Sequence, residues 1–87
     1  MMRLSWTGRA WEDYLYWQAH DKKTLKRINE LVKDALRTPF EGRGKPEALR
    51  FDLAGYWSRR IDGEHRLVYS FDAPNNAILI VQCRFHY

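Results

Sequence analysis

Tyr56-Trp57-Ser58-Arg59-Arg60-Ile61-Asp62-Gly63-Glu64-His65-Arg66-Leu67-Val68-Tyr69-Ser70-Phe71 is the stretch that decides the fold. Apolar and polar side chains alternate on both sides of Asp62-Gly63, and Asp-Gly tolerates the positive backbone angles of a tight hairpin turn. The period of two predicts strands over 56–61 and 65–72. Outward from this hairpin, Ala54-Gly55 sets off a short run at 51–53, and Pro74-Asn75-Asn76 sets off a longer one at 77–87. Four consecutive strands are therefore expected.

Toward the N-terminus the period changes. Leu25, Ile28, Leu31, Val32, Ala35 and Leu36 trace the 3.6-residue stripe of an amphipathic helix, with Lys22, Lys26, Lys33 and Arg37 among the solvated residues of its other face. Asp21 is expected to cap this helix, and Thr38-Pro39 to end it, because the residue before a proline is pushed out of the helical region. An earlier helix starts after Thr7 as N-cap, with Trp11 and Leu15 on its apolar edge, and 3–6 reads as a short first strand. Residues 40–47, with Gly42, Gly44 and Pro46, read as a loop. The order is β-α-α-β-β-β-β. It predicts an α+β domain over 1–87, two N-terminal helices packed on one face of a small, mainly antiparallel sheet.

Eighty-seven residues exclude a two-domain enzyme, and the core of so short a chain must come from large side chains; aromatics make up 15% of the sequence. Cys83 is the only cysteine, so no internal disulfide is possible, which suits a reducing, cytoplasmic setting. No apolar run approaches the roughly 18 residues needed to span a bilayer. The net charge of +4 is spread evenly, +2 in residues 1–42 and +2 in 43–87, so a polyanion site must be assembled by folding. There is no His-x-x-x-His, no cysteine cluster and no phosphate-binding glycine loop followed by Ser or Thr, so neither a metal nor another cofactor is expected.

Strand parity supplies the assembly. Arg60 on one strand, Arg66 on the next, and Gln82, Arg84 and His86 on the last share the face opposite the helices, with Glu47 entering from the preceding loop. Arg59 points the other way. His65 is expected to hold the hairpin end, and Cys83 to be a buried small residue. Metal-free RNA cleavage needs a base for the ribose 2′-OH, an acid for the leaving 5′-oxygen and cations for the charged transition state. Glu47 is the candidate base and His86 the candidate acid. Arg66 is the best-placed stabiliser, with Arg60 and Lys45 in support.

The segments Trp11-Glu12-Asp13-Tyr14-Leu15-Tyr16-Trp17, Arg37-Thr38-Pro39-Phe40-Glu41-Gly42, Gly44-Lys45-Pro46-Glu47, Gly55-Tyr56-Trp57-Ser58-Arg59-Arg60-Ile61 and Cys83-Arg84-Phe85-His86-Tyr87 resemble the YoeB family of RelE-like toxins. The resemblance implies a microbial RNase-like fold and a ribosome-dependent mRNA interferase that cuts message in the A site. It further implies inhibition by a cognate antitoxin protein, frequent homodimers, and contact with DNA only through the antitoxin complex. Carried onto this chain, the family's base falls on Glu47, its acid on His86 and its transition-state arginine on Arg66. A further active-site arginine falls on Arg60, a basic residue on Arg50, and the nucleotide-placing tyrosine on Tyr87. Two rivals use the same composition: a gyrase-poisoning toxin on this fold, which needs no acid–base pair, and a non-catalytic RNA- or ribosome-binding module.

Overall fold

Both helices start at a side-chain cap. In the computed structural model, which describes residues 2–87, Thr7 Oγ1 accepts the Ala10 N–H at 3.0 Å and opens α1, Gly8–His20. Asp21 accepts the Thr24 N–H at 3.1 Å and opens α2, Lys22–Arg37, which Thr38 closes. The strands are β1 (Arg3–Trp6), β2 (Glu47–Ala48), β3 (Tyr56–Arg60), β4 (Arg66–Asp72) and β5 (Ala77–Gln82). They form one mixed sheet in the order β1-β5-β4-β3-β2, with β1 parallel to β5 and the other pairs antiparallel. Helix α1 buries Ala10, Asp13 and Trp17, and α2 buries Ile28, Leu31, Val32 and Ala35. These pack on Leu67 and Tyr69 of β4 and Ile78 and Ile80 of β5, so both helices cover one face. Trp11 and Leu15 are not the buried edge of α1; they remain 47% and 42% exposed.

Two strand boundaries differ from the pattern-based expectation. Residues 51–53 form a single 3₁₀ turn, because Phe51 adopts the left-handed φ of +56° and cannot continue an extended chain. The strand lies earlier, at Glu47–Ala48, where Glu47 pairs with Ser58 and Ala48 with Trp57. At the other end, β5 stops at Gln82 instead of reaching residue 87. Pairing jumps from Tyr69↔Ile80 to Val68↔Gln82, which leaves Val81 as the extra residue of a β-bulge. The bulge reverses parity. Ile78 and Ile80 before it and Cys83 after it all reach the core, whereas unbroken alternation puts Leu79 and Val81 with Cys83.

Arg59 is the largest fully buried side chain. Its parity matches the core-facing Trp57, and a charge there is tolerable only if every donor is paired. Nε donates to Tyr69 Oη at 2.9 Å. Nη1 donates to Asp34 Oδ2 at 2.7 Å and to the Arg43 carbonyl at 3.1 Å. Nη2 donates to the carbonyls of Thr38 at 2.6 Å and Glu41 at 2.9 Å, so all five guanidinium N–H groups are used. The loop from α2 to β2 is thus wrapped around one cation. Its glycines fit that wrapping: a Cβ on Gly42, at φ +113°, would sit 2.1 Å from Asp34 Oδ2, and one on Gly44, at φ +81°, would sit 2.9 Å from Leu31.

Arg59→Ala should lower stability by about 3–5 kcal/mol in denaturant unfolding, since it strands Asp34 and three carbonyls. A second outcome concerns acid. The Arg43 N–H, opposed by burial and helped by Arg59, holds the Asp34 carboxyl below its ordinary value of 3.8. The fold therefore binds this proton more weakly than the unfolded chain does. Its contribution is complete above pH 4 or so and is lost as pH falls through the lowered value. Asp34→Asn should flatten that acid limb of a stability–pH curve.

Candidate active site

On the open face of the sheet, Glu47 of β2 stands opposite Ser58 of β3, and Arg60 of β3 stands directly opposite Arg66 of β4. Two like charges in cross-strand register repel each other unless an anion lies between them. Among the described residues, neither arginine forms an ion pair with a carboxylate, nor do Lys45 and Glu47. These side chains line a cleft of about 490 Å³ together with Pro46, Ser58, His86 and Tyr87. Three cations face a single carboxylate in it, so the cleft attracts phosphate.

The position of each residue is traceable to local structure. The Arg60 N–H donates to the Gly44 carbonyl at 2.7 Å, which ties the loop to the edge of β3 just ahead of Lys45. Arg66 Nη1 donates to the carbonyls of Asp62 at 2.7 Å and His65 at 3.0 Å, so the hairpin turn holds one end of its guanidinium. Asp62 Oδ1 in turn accepts the N–H groups of Glu64 and His65 at 2.8 and 2.7 Å.

The chain end reaches the cleft by leaving the sheet. Helix α1 takes over the backbone of Cys83: Asp13 Oδ2 accepts its N–H at 3.2 Å, and Trp17 Nε1 donates to its carbonyl at 2.8 Å. Burial, then the Asp13 charge, pushes the Cys83 thiol up to about 12, so it is no nucleophile. His65 Nδ1 accepts the Phe85 N–H at 2.7 Å while its ring stands edge-on to Trp17. Phe85 then takes a left-handed φ of +69°, which swings the last two residues back over β3. Tyr87 Oη donates to Glu47 Oε1 at 3.3 Å and lies 3.3 Å from Ser58 Oγ. The His86 ring stacks on Tyr87 with centroids 4.6 Å apart, and both rings lie in the one cleft.

Six of the seven residues singled out from sequence therefore converge: Lys45, Glu47, Arg60, Arg66, His86 and Tyr87. The seventh, Arg50, lines an adjoining groove that shares Glu47 and Tyr87 with the cleft. Glu47 sits in a strand instead of the expected loop. Arg84 does not join the open face; its guanidinium lies 3.4 Å from the Tyr16 ring centroid on α1, because the bulge and the Cys83 clamp have changed its direction. His65 holds the hairpin end, as its place at the start of a strand suggested. Ser58 is the residue sequence reasoning passed over; its alternation with Arg60 was the available signal.

Two helices on one face of a mixed five-stranded sheet match the fold of the RelE-like toxins. A toxin–antitoxin complex from Mycobacterium tuberculosis, RelBE2, shares the fold at a TM-score of 0.76 and 24% identity over 98% of both chains. Residues 6–87 match the model of the YoeB-like toxins of bacterial type II toxin–antitoxin systems, and the chain belongs to that family. It is 57% identical to Toxin YoeB of Escherichia coli K12 over 99% of this chain and all of that one. The YoeB/ParE toxin from Agrobacterium tumefaciens superposes at a TM-score of 0.96 with 51% identity, over 99% of this chain and 100% of that one.

The cross-strand arginine pair predicts anion binding that is measurable without any substrate. Inorganic phosphate should raise the melting temperature of the protein in a dose-dependent way. Arg60→Ala should keep the unliganded stability within about 0.5 kcal/mol and lose most of the phosphate-dependent rise. An undiminished rise would place the anion elsewhere.

Proposed function

We propose that this toxin is a metal-independent endoribonuclease that cuts messenger RNA in the ribosomal A site and so stops translation. The observation that carries the reading is a carboxylate and an imidazole lining one cleft with three cations, Glu47 and His86 with Lys45, Arg60 and Arg66. Opposite proton-transfer roles need two such groups, and a phosphoryl transition state needs the positive charge. Glu47, oriented by the Tyr87 hydroxyl, removes the proton of the ribose 2′-OH. The freed oxygen attacks phosphorus, forms the fifth bond, and the bond to the 5′-oxygen breaks. His86 as imidazolium gives its proton to that leaving oxygen. Arg66 and Arg60 offset charge on the equatorial phosphoryl oxygens, and Lys45, an exposed cation of the cleft lining, draws the strand in.

Partners follow from the family. The Staphylococcus aureus relative is described both as a YoeB dimer and as a heterotetrameric YoeB–YefM complex. A homodimer and an inhibitory antitoxin are accordingly proposed for this chain. An antitoxin segment that covers the cleft should be acidic, since it must satisfy the same cations.

The test is 5′-end mapping of transcripts after brief induction, with wild type beside Glu47→Ala and His86→Ala. Either substitution should cut the cleavage rate by about 10²- to 10⁴-fold, the usual worth of a positioned acid or base. Melting temperatures should stay close to wild type, because both side chains are exposed. A double variant that still cleaves at the wild-type rate would overturn the assignment. An SOS response without cleaved message would instead favour gyrase as the target.

A further inference from the structure

Phe51 is 91% exposed, while the next most exposed large apolar residue, Phe40, is at 49% and rests on Trp57 with centroids 4.7 Å apart. No aromatic neighbour covers Phe51 among the described residues. It also occupies a left-handed φ of +56°, a conformation that glycine or asparagine adopts at less cost. Burial therefore does not explain a phenyl ring here, and the backbone gains nothing from it. The backbone that presents the ring is held: the 3₁₀ turn is closed by the Leu53 N–H on the Arg50 carbonyl at 3.1 Å and the Ala54 N–H on the Phe51 carbonyl at 3.0 Å.

The surroundings indicate what the ring meets. Phe51 lines a groove of about 520 Å³ with Leu49, Arg50 and Leu53, and the groove adjoins the catalytic cleft, sharing Glu47 and Tyr87 with it. Its lining offers one cation, Arg50, within reach of a phosphate, and is otherwise largely apolar, with Ala48, Leu49, Leu53 and Tyr87 around the ring. A nucleobase carries no charge and presents a flat face, which suits an exposed phenyl beside a single cation that takes the phosphate.

We propose that Phe51 is a base-stacking residue: its ring supports the nucleobase next to the scissile phosphate, in a second subsite beside the cleft, with Arg50 on that nucleotide's phosphate. The proposal rests on the endoribonuclease reading and gives that site a second point of purchase on the strand. Stacking at this point fixes which phosphate stands between Glu47 and His86, so Phe51 influences cleavage position as well as rate.

The experiment uses ribosomes programmed with a short message that carries 2-aminopurine at successive positions around the cleavage point and a 2′-deoxy nucleotide at that point to prevent cutting. Wild type should quench the fluorophore at one flanking position. Phe51→Ala and Phe51→Gly should lose that quenching and Phe51→Tyr should keep it. Phe51→Gly removes the ring and also the backbone strain, so its melting temperature should equal or exceed that of wild type. On all-ribose message, kcat/KM of Phe51→Ala should fall about tenfold, within the range for loss of one stacked base. Quenching unchanged in Phe51→Ala, or absent with wild type at every position, overturns the subsite. So does a substitution that weakens only binding of the antitoxin. The fluorescence needs no cleavage, so a Glu47→Ala protein that quenches normally and still cuts would remove the catalytic assignment and leave the subsite standing.

Discussion

The buried guanidinium of Arg59 is the constraint on which the rest of the molecule depends. An ion removed from water costs several kcal/mol unless its donors are all met, and here the acceptors come from α2, β4 and the loop between α2 and β2. Folding that loop around the charge sets where Lys45, Pro46 and Glu47 emerge. The tyrosine that shares the charge donates its own proton to the Pro39 carbonyl at 2.6 Å, so the network extends to the residue just past the C-cap of α2. Asp34 leaves no room for a side chain on Gly42, and Leu31 with Arg59 itself leaves none on Gly44. A site residue on a long loop is usually a mobile one. This one inherits the rigidity of the core through a single cation.

The second half of the site depends on a different device. A straight β5 would carry its last residues along the sheet and away from Glu47. The bulge at Val81 and the capture of Cys83 by Asp13 and Trp17 pull the chain off the sheet toward α1, and His65 and the left-handed Phe85 return it. His86 and Tyr87 thereby face the same cleft although adjacent strand residues point to opposite faces. Loop and tail are anchored by separate networks, one on α2 and one on α1. The cleft is the place where the two meet.

Most of the architecture was legible because it rests on local patterns. The helix caps at Thr7 and Asp21, the stripe of α2 and the Asp62-Gly63 hairpin are all short-range signals, and each appears where the pattern puts it. Parity likewise brought Arg60 and Arg66 to one face. What parity missed are the places where an alternation is interrupted. A bulge has no sequence mark when the extra residue is a valine among other apolar residues, and Arg84 was misdirected for that reason. The positive φ of Phe51 belongs to a residue type that seldom adopts it, so 51–53 looked like a strand. Arg59 was correctly turned toward the helices, yet its full burial depends on loop carbonyls that no pattern reveals.

The central claim is that the cleft directs a ribose 2′-OH onto the adjacent phosphate. The chemistry of the cut ends tests it most directly. Mass spectrometry of a short ribosome-bound message after a single turnover should find a 2′,3′-cyclic phosphate on the upstream fragment and a 5′-hydroxyl on the downstream one. A 3′-hydroxyl with a 5′-phosphate would mean that water attacked instead, and would contradict the roles given to Glu47 and His86.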